Sequence, residues 1–163
     1  MKKNILGISL LEVLVVMTIF AVLGILVTQS IILTLQGSKK SESIVKAREN
    51  LDYSLNIIER QIRNASSIIS CPDQHTINYQ DQKGLPTSFS CQQTGTPDSY
   101  IASGSSHLTG NAVRVAACSF TCIEETTANP ALVKVDLTLR EASSSGVQSA
   151  NVSASTQIYL RNY

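Results

Sequence analysis

Lys2-Lys3-Asn4-Ile5-Leu6-Gly7-Ile8-Ser9-Leu10-Leu11-Glu12 opens the chain, and from Val13 the sequence runs apolar to Leu35, softened towards its end by Thr28, Gln29 and Ser30. Two lysines and a glycine thus form a very short leader to a segment of membrane length. Roughly 23 residues at about 1.5 Å each give near 35 Å, against a hydrocarbon core of about 30 Å. The run contains one carboxylate, Glu12, five residues past Gly7. An ionised side chain in such a segment costs about 2.5–3.5 kcal/mol at the helix centre on insertion scales, and less near its end. A bare anchor has no use for that charge, so something should offset it.

A cleavable secretory signal fits poorly. Its apolar region would span about 7–15 residues and close on a small-residue site such as Ala-x-Ala, and no such site closes this run. A simple signal anchor explains the length and leaves Glu12 unexplained. Lys2 and Lys3 favour an inside N-terminus, but Lys39 and Lys40 flank the other end, so charge alone does not orient the segment.

Gly7, the hydrophobic run and Glu12 at this offset resemble the type IV prepilin signal, shared by pilins and the pseudopilins of type II secretion. The resemblance implies that a prepilin peptidase cuts between Gly7 and Ile8 and methylates the new amine of Ile8. It implies also that Glu12 sets axial register by pairing with the terminal amine of a neighbouring subunit. The physics agrees, because a charge in an apolar helix bundle is tolerated mainly when paired. Families of this kind most often begin the mature chain with Phe or Met, and Ile8 keeps the apolar character. Gly24 sits mid-helix, where glycine weakens a helix or lets a neighbour pack close. In assembled pili this part of the helix commonly loosens, which makes Gly24 the expected place, with plain close packing as the alternative.

The rest of the chain bounds what the anchor carries. With 163 residues there is room for one anchored domain of modest size. A net charge of +1 implies neither nucleic acid nor an acidic surface as partner. Charged residues at 15%, aromatics at 5% and no Trp leave a small core to be filled by Val, Ile, Leu and Ala.

Beyond Gly37 the pattern becomes amphipathic. Ile44, Ala47, Leu51, Leu55, Ile58, Ile62, Ala65 and Ile69 step by three and four, as one helical face meeting a core would. Glu42 with Lys46 and Glu59 with Arg63 stand at i,i+4 in the favourable order. No proline interrupts the chain before Pro72. The expectation is one helix from about Ile8 to about Ser67, roughly 60 residues and some 90 Å long. A coiled-coil stalk is the alternative, and the single apolar face beside a strand-rich remainder favours packing on a sheet.

Past Pro72 the helical period disappears. Thr76–Gln80 and Thr87–Cys91, joined by Asp81-Gln82-Lys83-Gly84, read as a hairpin. Gly95, Pro97, Gly104 and Gly110 mark a loop with one short strand near Tyr100. A further strand starts at Asn111 and runs towards Phe120, and a polar loop follows from Glu124 to Pro130. Val133, Val135, Leu137 and Leu139 alternate with Lys134, Asp136, Thr138 and Arg140, the signature of a half-buried strand. Val152, Ala154, Thr156, Ile158 and Leu160 alternate again after Ser143-Ser144-Ser145-Gly146. The fold class is therefore α+β, a long helix packed on an antiparallel meander, which is the pilin architecture. The closing Tyr159-Leu160-Arg161-Asn162-Tyr163 and the stretch Ile58-Glu59-Arg60-Gln61-Ile62-Arg63-Asn64-Ala65 also look like minor pilins and J-type pseudopilins.

All 4 cysteines lie from Cys71 onward, which suits an oxidising compartment and an exported C-terminal side. Four cysteines permit three pairings. Cys71 and Cys91 flank the hairpin, so closing it favours Cys71–Cys91, a loop that should add about 3 kcal/mol. Cys118–Cys122 then pair by elimination, which demands a bulge or turn at Ser119-Phe120-Thr121. A zinc site from Cys118, Cys122 and His75 or His107 is the sharper alternative, but one C-x3-C with two scattered histidines falls short of the usual paired spacing.

No catalytic constellation stands out. There is no Gly-x-Ser-x-Gly elbow, and the Ser-rich stretch from Gly104 to Gly110 lacks the lysine of a phosphate loop. His75 and His107 fall in expected loops, and Glu124-Glu125 is most simply a solvated turn. The reading is a non-enzymatic subunit with no cofactor and no metal. It divides into a leader at 1–7, a hydrophobic helix at 8–37, the amphipathic half of the same helix at 38–70, and a disulfide-containing head at 71–163. The resemblance implies a minor pilin or pseudopilin of a pilus, secretion or competence filament. Its partners would be prepilin peptidase, other subunits, the inner-membrane assembly platform and, before assembly, the lipid bilayer. Nucleic acid is not expected, because Lys and Arg are sparse and scattered in the head. The chain would cross the cytoplasmic membrane once, N-terminus inside, and end in a pilus or pseudopilus. A membrane-anchored exported binding domain that never polymerises is the alternative.

Overall fold

A computed structural model describes residues 9–123, 131–143 and 150–160. One helix and eight strands follow in order: α1 (Leu10–Arg63), β1 (Ser67–Asp73), β2 (Thr76–Gln80), β3 (Pro86–Gln92), β4 (Tyr100–Ser103), β5 (Ser106–His107), β6 (Val113–Ile123), β7 (Leu132–Glu141) and β8 (Asn151–Tyr159). The chain divides into two compact units, Met1–Lys39 and Lys40–Tyr163, and α1 supplies residues to each.

In the first unit every described side chain is exposed, including Leu14, Phe20, Leu26 and Leu33. The most apolar 18-residue window of α1 has mean hydropathy 2.8, so the helix is long and apolar enough to cross a membrane. Its threonine hydroxyls are satisfied within the helix: Thr18 donates to the Val15 carbonyl, Thr28 to Gly24 and Thr34 to Ser30, each at 2.8 Å. Such internal pairing is what a lipid-facing segment demands.

In the second unit α1 buries Ser43, Ala47, Leu51, Ser54, Ile58 and Ile62, steps of three and four residues. Leu51, Ile58 and Ile62 join Ile77, Phe89, Ile101, Val115, Phe120 and Leu137 in one core cluster, so this half of the helix packs against both sheets. Ser43 and Ser54 are small enough to let the helix approach closely, though neither hydroxyl has a partner among the described residues. The i,i+4 pairs Glu42–Lys46 and Glu59–Arg63 both form, and Lys46 also reaches Glu141 at the end of β7, 3.3 Å away.

The helix ends at Arg63, four residues before the expected Ser67. Ala65 N–H closes a tighter turn on the Ile62 carbonyl, and Ser66 N–H already donates to Gln80 of β2. From Ser67 the chain is strand, so Ile69 lies half-exposed on β1 rather than on the helical face. Ile68 and Ile69 are β-branched and as much at home in a strand, and β2 offers them a ladder.

Strands β1 to β5 form a five-stranded antiparallel meander, and β6 to β8 a three-stranded one. The expected hairpin is β2–β3, in register from Thr76↔Ser90 to Gln80↔Pro86. Asp81 holds its turn: one carboxylate oxygen accepts from Lys83 N–H at 2.8 Å and Leu85 N–H at 2.9 Å. Gly84 there has φ +76°, a conformation that favours glycine. Strand β7 buries Val133, Val135, Leu137 and Leu139, as the alternation requires.

The cysteines pair otherwise than expected. The bridges are Cys71–Cys122 and Cys91–Cys118, with Cα atoms 6.3 and 6.2 Å apart, and not Cys71–Cys91 with Cys118–Cys122. The reason is topological. Cys71 and Cys91 sit on β1 and β3 with β2 between them, which puts them about 10 Å apart. Cys118 and Cys122 share β6, whose pairing with β7 is regular from Cys118↔Leu137 to Cys122↔Val133. No bulge brings them together, and four extended residues span about 13 Å. Both cysteines instead reach across to the first sheet, which β6 touches along β1 to β4. Between the two bridges the turn before β2 is seated on β6. Phe120 N–H donates to the Gln74 carbonyl at 2.7 Å, and His75 Nδ1 donates to the Cys118 carbonyl at 2.9 Å.

Tyr79 of β2 stacks on Phe89 of β3, ring centroids 5.4 Å apart, and its hydroxyl donates to Gln61 of α1 at 2.6 Å. Burial pushes the Tyr79 hydroxyl up to about 12; Thr87 pulls the other way and Asp81 adds a little to the rise. An unfolded tyrosine titrates near pH ~10. Between about pH 10 and 12 the unfolded chain therefore releases a proton that the folded head keeps, and stability falls as pH rises, by up to about 1.4 kcal/mol per pH unit. Below that window both states are neutral and Tyr79 contributes no slope. Alkaline unfolding curves of the protein and of Tyr79→Phe should diverge only within this window. Parallel curves throughout would show that Tyr79 is not the group responsible.

Candidate functional site

The residues singled out at the N-terminus are placed unevenly. Gly7 and Ile8, the expected cleavage and methylation pair, lie outside the described residues. Glu12 lies in the first turn of α1, where its N–H donates to the Ser9 carbonyl at 3.0 Å. Ser9 therefore stands at the helix cap and Glu12 three residues on, the spacing of a capping box and the place where the helix dipole favours a carboxylate. The side chain is exposed, and among the described residues it makes no hydrogen bond or ion pair. A lone carboxylate thus stands at the head of a helix whose next twenty residues are almost wholly apolar.

Helix α1 runs without a break through Gly24. A Cβ built there would meet nothing within 4 Å, so no contact inside the chain requires a glycine. The Gly24 carbonyl accepts the Thr28 hydroxyl besides its place in the helical ladder.

In the head, all four sulfurs are in disulfides. No thiolate is left to join His75 or His107 in a zinc site, so that alternative falls. His75 lies in the exposed turn between β1 and β2, as expected of a loop residue, and its ring also bonds the Cys118 carbonyl of β6. His107 lies on β5 and stacks on Tyr100. Sequence reading missed the placement of His107 on a strand, because it depends on which strand lies alongside rather than on local pattern. On β6–β8, Ser119, Thr138, Ser153 and Ser155 lie around Asp136, with Lys134 beside it. Its carboxyl lies below the usual range chiefly because Ser155 hydrogen-bonds it, with Lys134 adding to the effect at 3.1 Å.

The chemistry therefore concentrates in the N-terminal segment, and the comparison with known families falls on the same residues. Residues 2–28 match the family model for the prokaryotic N-terminal methylation motif. The N-terminal segment carries this motif, which supports a signal of the type IV pilin and pseudopilin kind. Such a motif supports a type IV pilin-like exported subunit processed by prepilin peptidase. With the apolar stretch of α1 it supports membrane anchoring and an exported head. Pilin-type chains are structural rather than catalytic, and α+β with a long N-terminal helix is consistent with their fold. The match is confined to the N-terminal segment. Neither a curated protein nor a solved structure matches the chain.

Proposed function

We propose that this type IV pilin-like subunit is a minor pilin or pseudopilin, built into a pilus or a secretion- or competence-type filament through its N-terminal helix. The observation that carries the reading is Glu12: exposed, unpartnered within the described chain, and set five residues past Gly7 at the start of a helix of membrane length. In this reading residues 1–7 are removed, Ile8 becomes the methylated N-terminus, and Glu12 pairs with the terminal amine of the next subunit. Helices bundle in the filament core and heads form its surface. Before assembly the chain crosses the cytoplasmic membrane once, N-terminus inside. Gly24 is where the helix loosens on assembly.

The test is the N-terminal mass of the protein recovered from membranes and from sheared filaments. A chain that begins at Ile8 and is heavier by one methyl group is the expected result. An intact Met1 start in cells with an active prepilin peptidase would overturn the reading and leave a non-polymerising membrane-anchored domain.

A further inference from the structure

Arg114 of β6 and Arg140 of β7 are direct partners in the ladder, so their side chains leave the same face of the sheet. Like charges opposite one another destabilise a sheet, yet among the described residues neither arginine has a carboxylate partner. Both are half-buried, and Arg114 Nε is wholly buried with no hydrogen bond. A buried donor left unpaired is costly and calls for an explanation.

Arg114 lines a half-open hollow of about 410 Å³, within the size range of small-ligand pockets. Its walls are fixed by the fold. Gly95 N–H donates to the Val115 carbonyl at 2.9 Å, and Val115 N–H donates to Ser99 Oγ at 2.9 Å, pinning the loop before β4 to β6. Tyr100 and His107 stand on β4 and β5 with rings stacked at 3.8 Å and 7°. Gln93, Asp98 and Asn111 complete the lining that matters here.

This donor set is selective. A guanidinium takes a carboxylate through two parallel hydrogen bonds. Side-chain amides donate to and accept from neighbouring hydroxyls and a carboxylate accepts from them, and an aromatic wall suits the C–H face of a ring. A phosphate monoester carries nearly two charges near neutral pH and would set the second against Asp98. A uronic acid brings one carboxylate for Arg114 and hydroxyls for Asp98. We infer that the hollow binds a carboxylated sugar. Arg114 holds the carboxylate, Gln93, Asp98 and Asn111 take hydroxyls, and the Tyr100–His107 pair meets the ring. The inference does not rest on the filament reading and applies to the head before or after assembly.

Trigalacturonate is titrated calorimetrically into the full chain in detergent, beside a neutral galactose trisaccharide and inorganic phosphate. Saturable binding of trigalacturonate is expected, with both comparators at least about tenfold weaker. Arg114→Gln should weaken it about tenfold or more, the scale of a lost charge-assisted pair. Lys83→Gln, an exposed cation in the β2–β3 turn, should leave it unchanged. Tyr100→Ala, at the rim of the hollow, makes the same demand should Arg114→Gln fail to fold. No saturation at millimolar sugar, phosphate binding as tight as the sugar, or an equal loss in Lys83→Gln would each overturn the inference.

Discussion

Glu12→Ala is expected to leave the head folded and to remove the subunit from filaments. The head draws its core from residues beyond Lys40, so nothing in it depends on Glu12. In the assembled bundle the substitution would strand a neighbour's terminal amine in an apolar setting. Breaking a buried pair from one side costs about 3–5 kcal/mol, a hundredfold to thousandfold loss per contact on the order of 1.4 kcal/mol per tenfold. Glu12→Gln, which keeps shape and loses charge, should fail nearly as badly. The competing role is local, because Ser9 and Glu12 have the spacing of a capping box. A lost cap costs about 1 kcal/mol, far less than a stranded charge, and it would be reproduced by Ser9→Ala. Subunit content of sheared filaments against membranes separates the two. Normal incorporation of Glu12→Ala refutes the pairing role, and equal failure of Ser9→Ala and Glu12→Ala assigns the effect to the cap.

How far the sequence can be read depends on whether a feature is local. The methylation signal is linear and needs no fold to be recognised. Strand β7 was legible because burial of one face forces a period of two, and the β2–β3 turn because Asp81 and Gly84 supply its hydrogen bonds and its positive φ. Ala47, Leu51, Ile58 and Ile62 showed the helical face. Ser43 and Ser54 on the same face did not, since a hydropathy pattern treats hydroxyls as wet while close helix packing needs them small.

The end of α1 was misplaced because Ile68 and Ile69 continue a helical step as readily as a strand alternation. Only the bond from Ser66 to Gln80 decides between the two. Long-range geometry was invisible. Arg114 and Arg140 meet through a register set across β6 and β7, which no local pattern announces. The disulfides failed for the same reason: proximity along the hairpin suggested Cys71–Cys91, whereas the strand that lies across the first sheet is β6.

That crossing makes the two bridges unequal, and paired cysteine-to-alanine variants should show it. On the chain-entropy account the outer bridge, Cys71–Cys122 with separation 51, contributes about 4 kcal/mol, and the inner one, Cys91–Cys118 with separation 27, about 3.5. Entropy alone ranks the outer bridge first, the more so because it already restrains the segment that the inner one closes. Packing ranks them the other way. Cys91 and Cys118 are 7% and 4% exposed inside the core, while Cys71 and Cys122 are only half-buried beside it. Removing the inner sulfurs opens a cavity under β3 and β6, and losses of buried groups add to the cost through the space left behind. The inner pair, Cys91→Ala with Cys118→Ala, should therefore lower the unfolding temperature further than Cys71→Ala with Cys122→Ala. Against a total stability of about 5–15 kcal/mol, it should bring the head close to unfolding. Graded reduction followed by alkylation should label Cys71 and Cys122 first, with the head still folded. The reverse thermal order would mean that chain entropy outweighs packing, and a fragment joining Cys71 to Cys91 would overturn the placement of β6 across the first sheet.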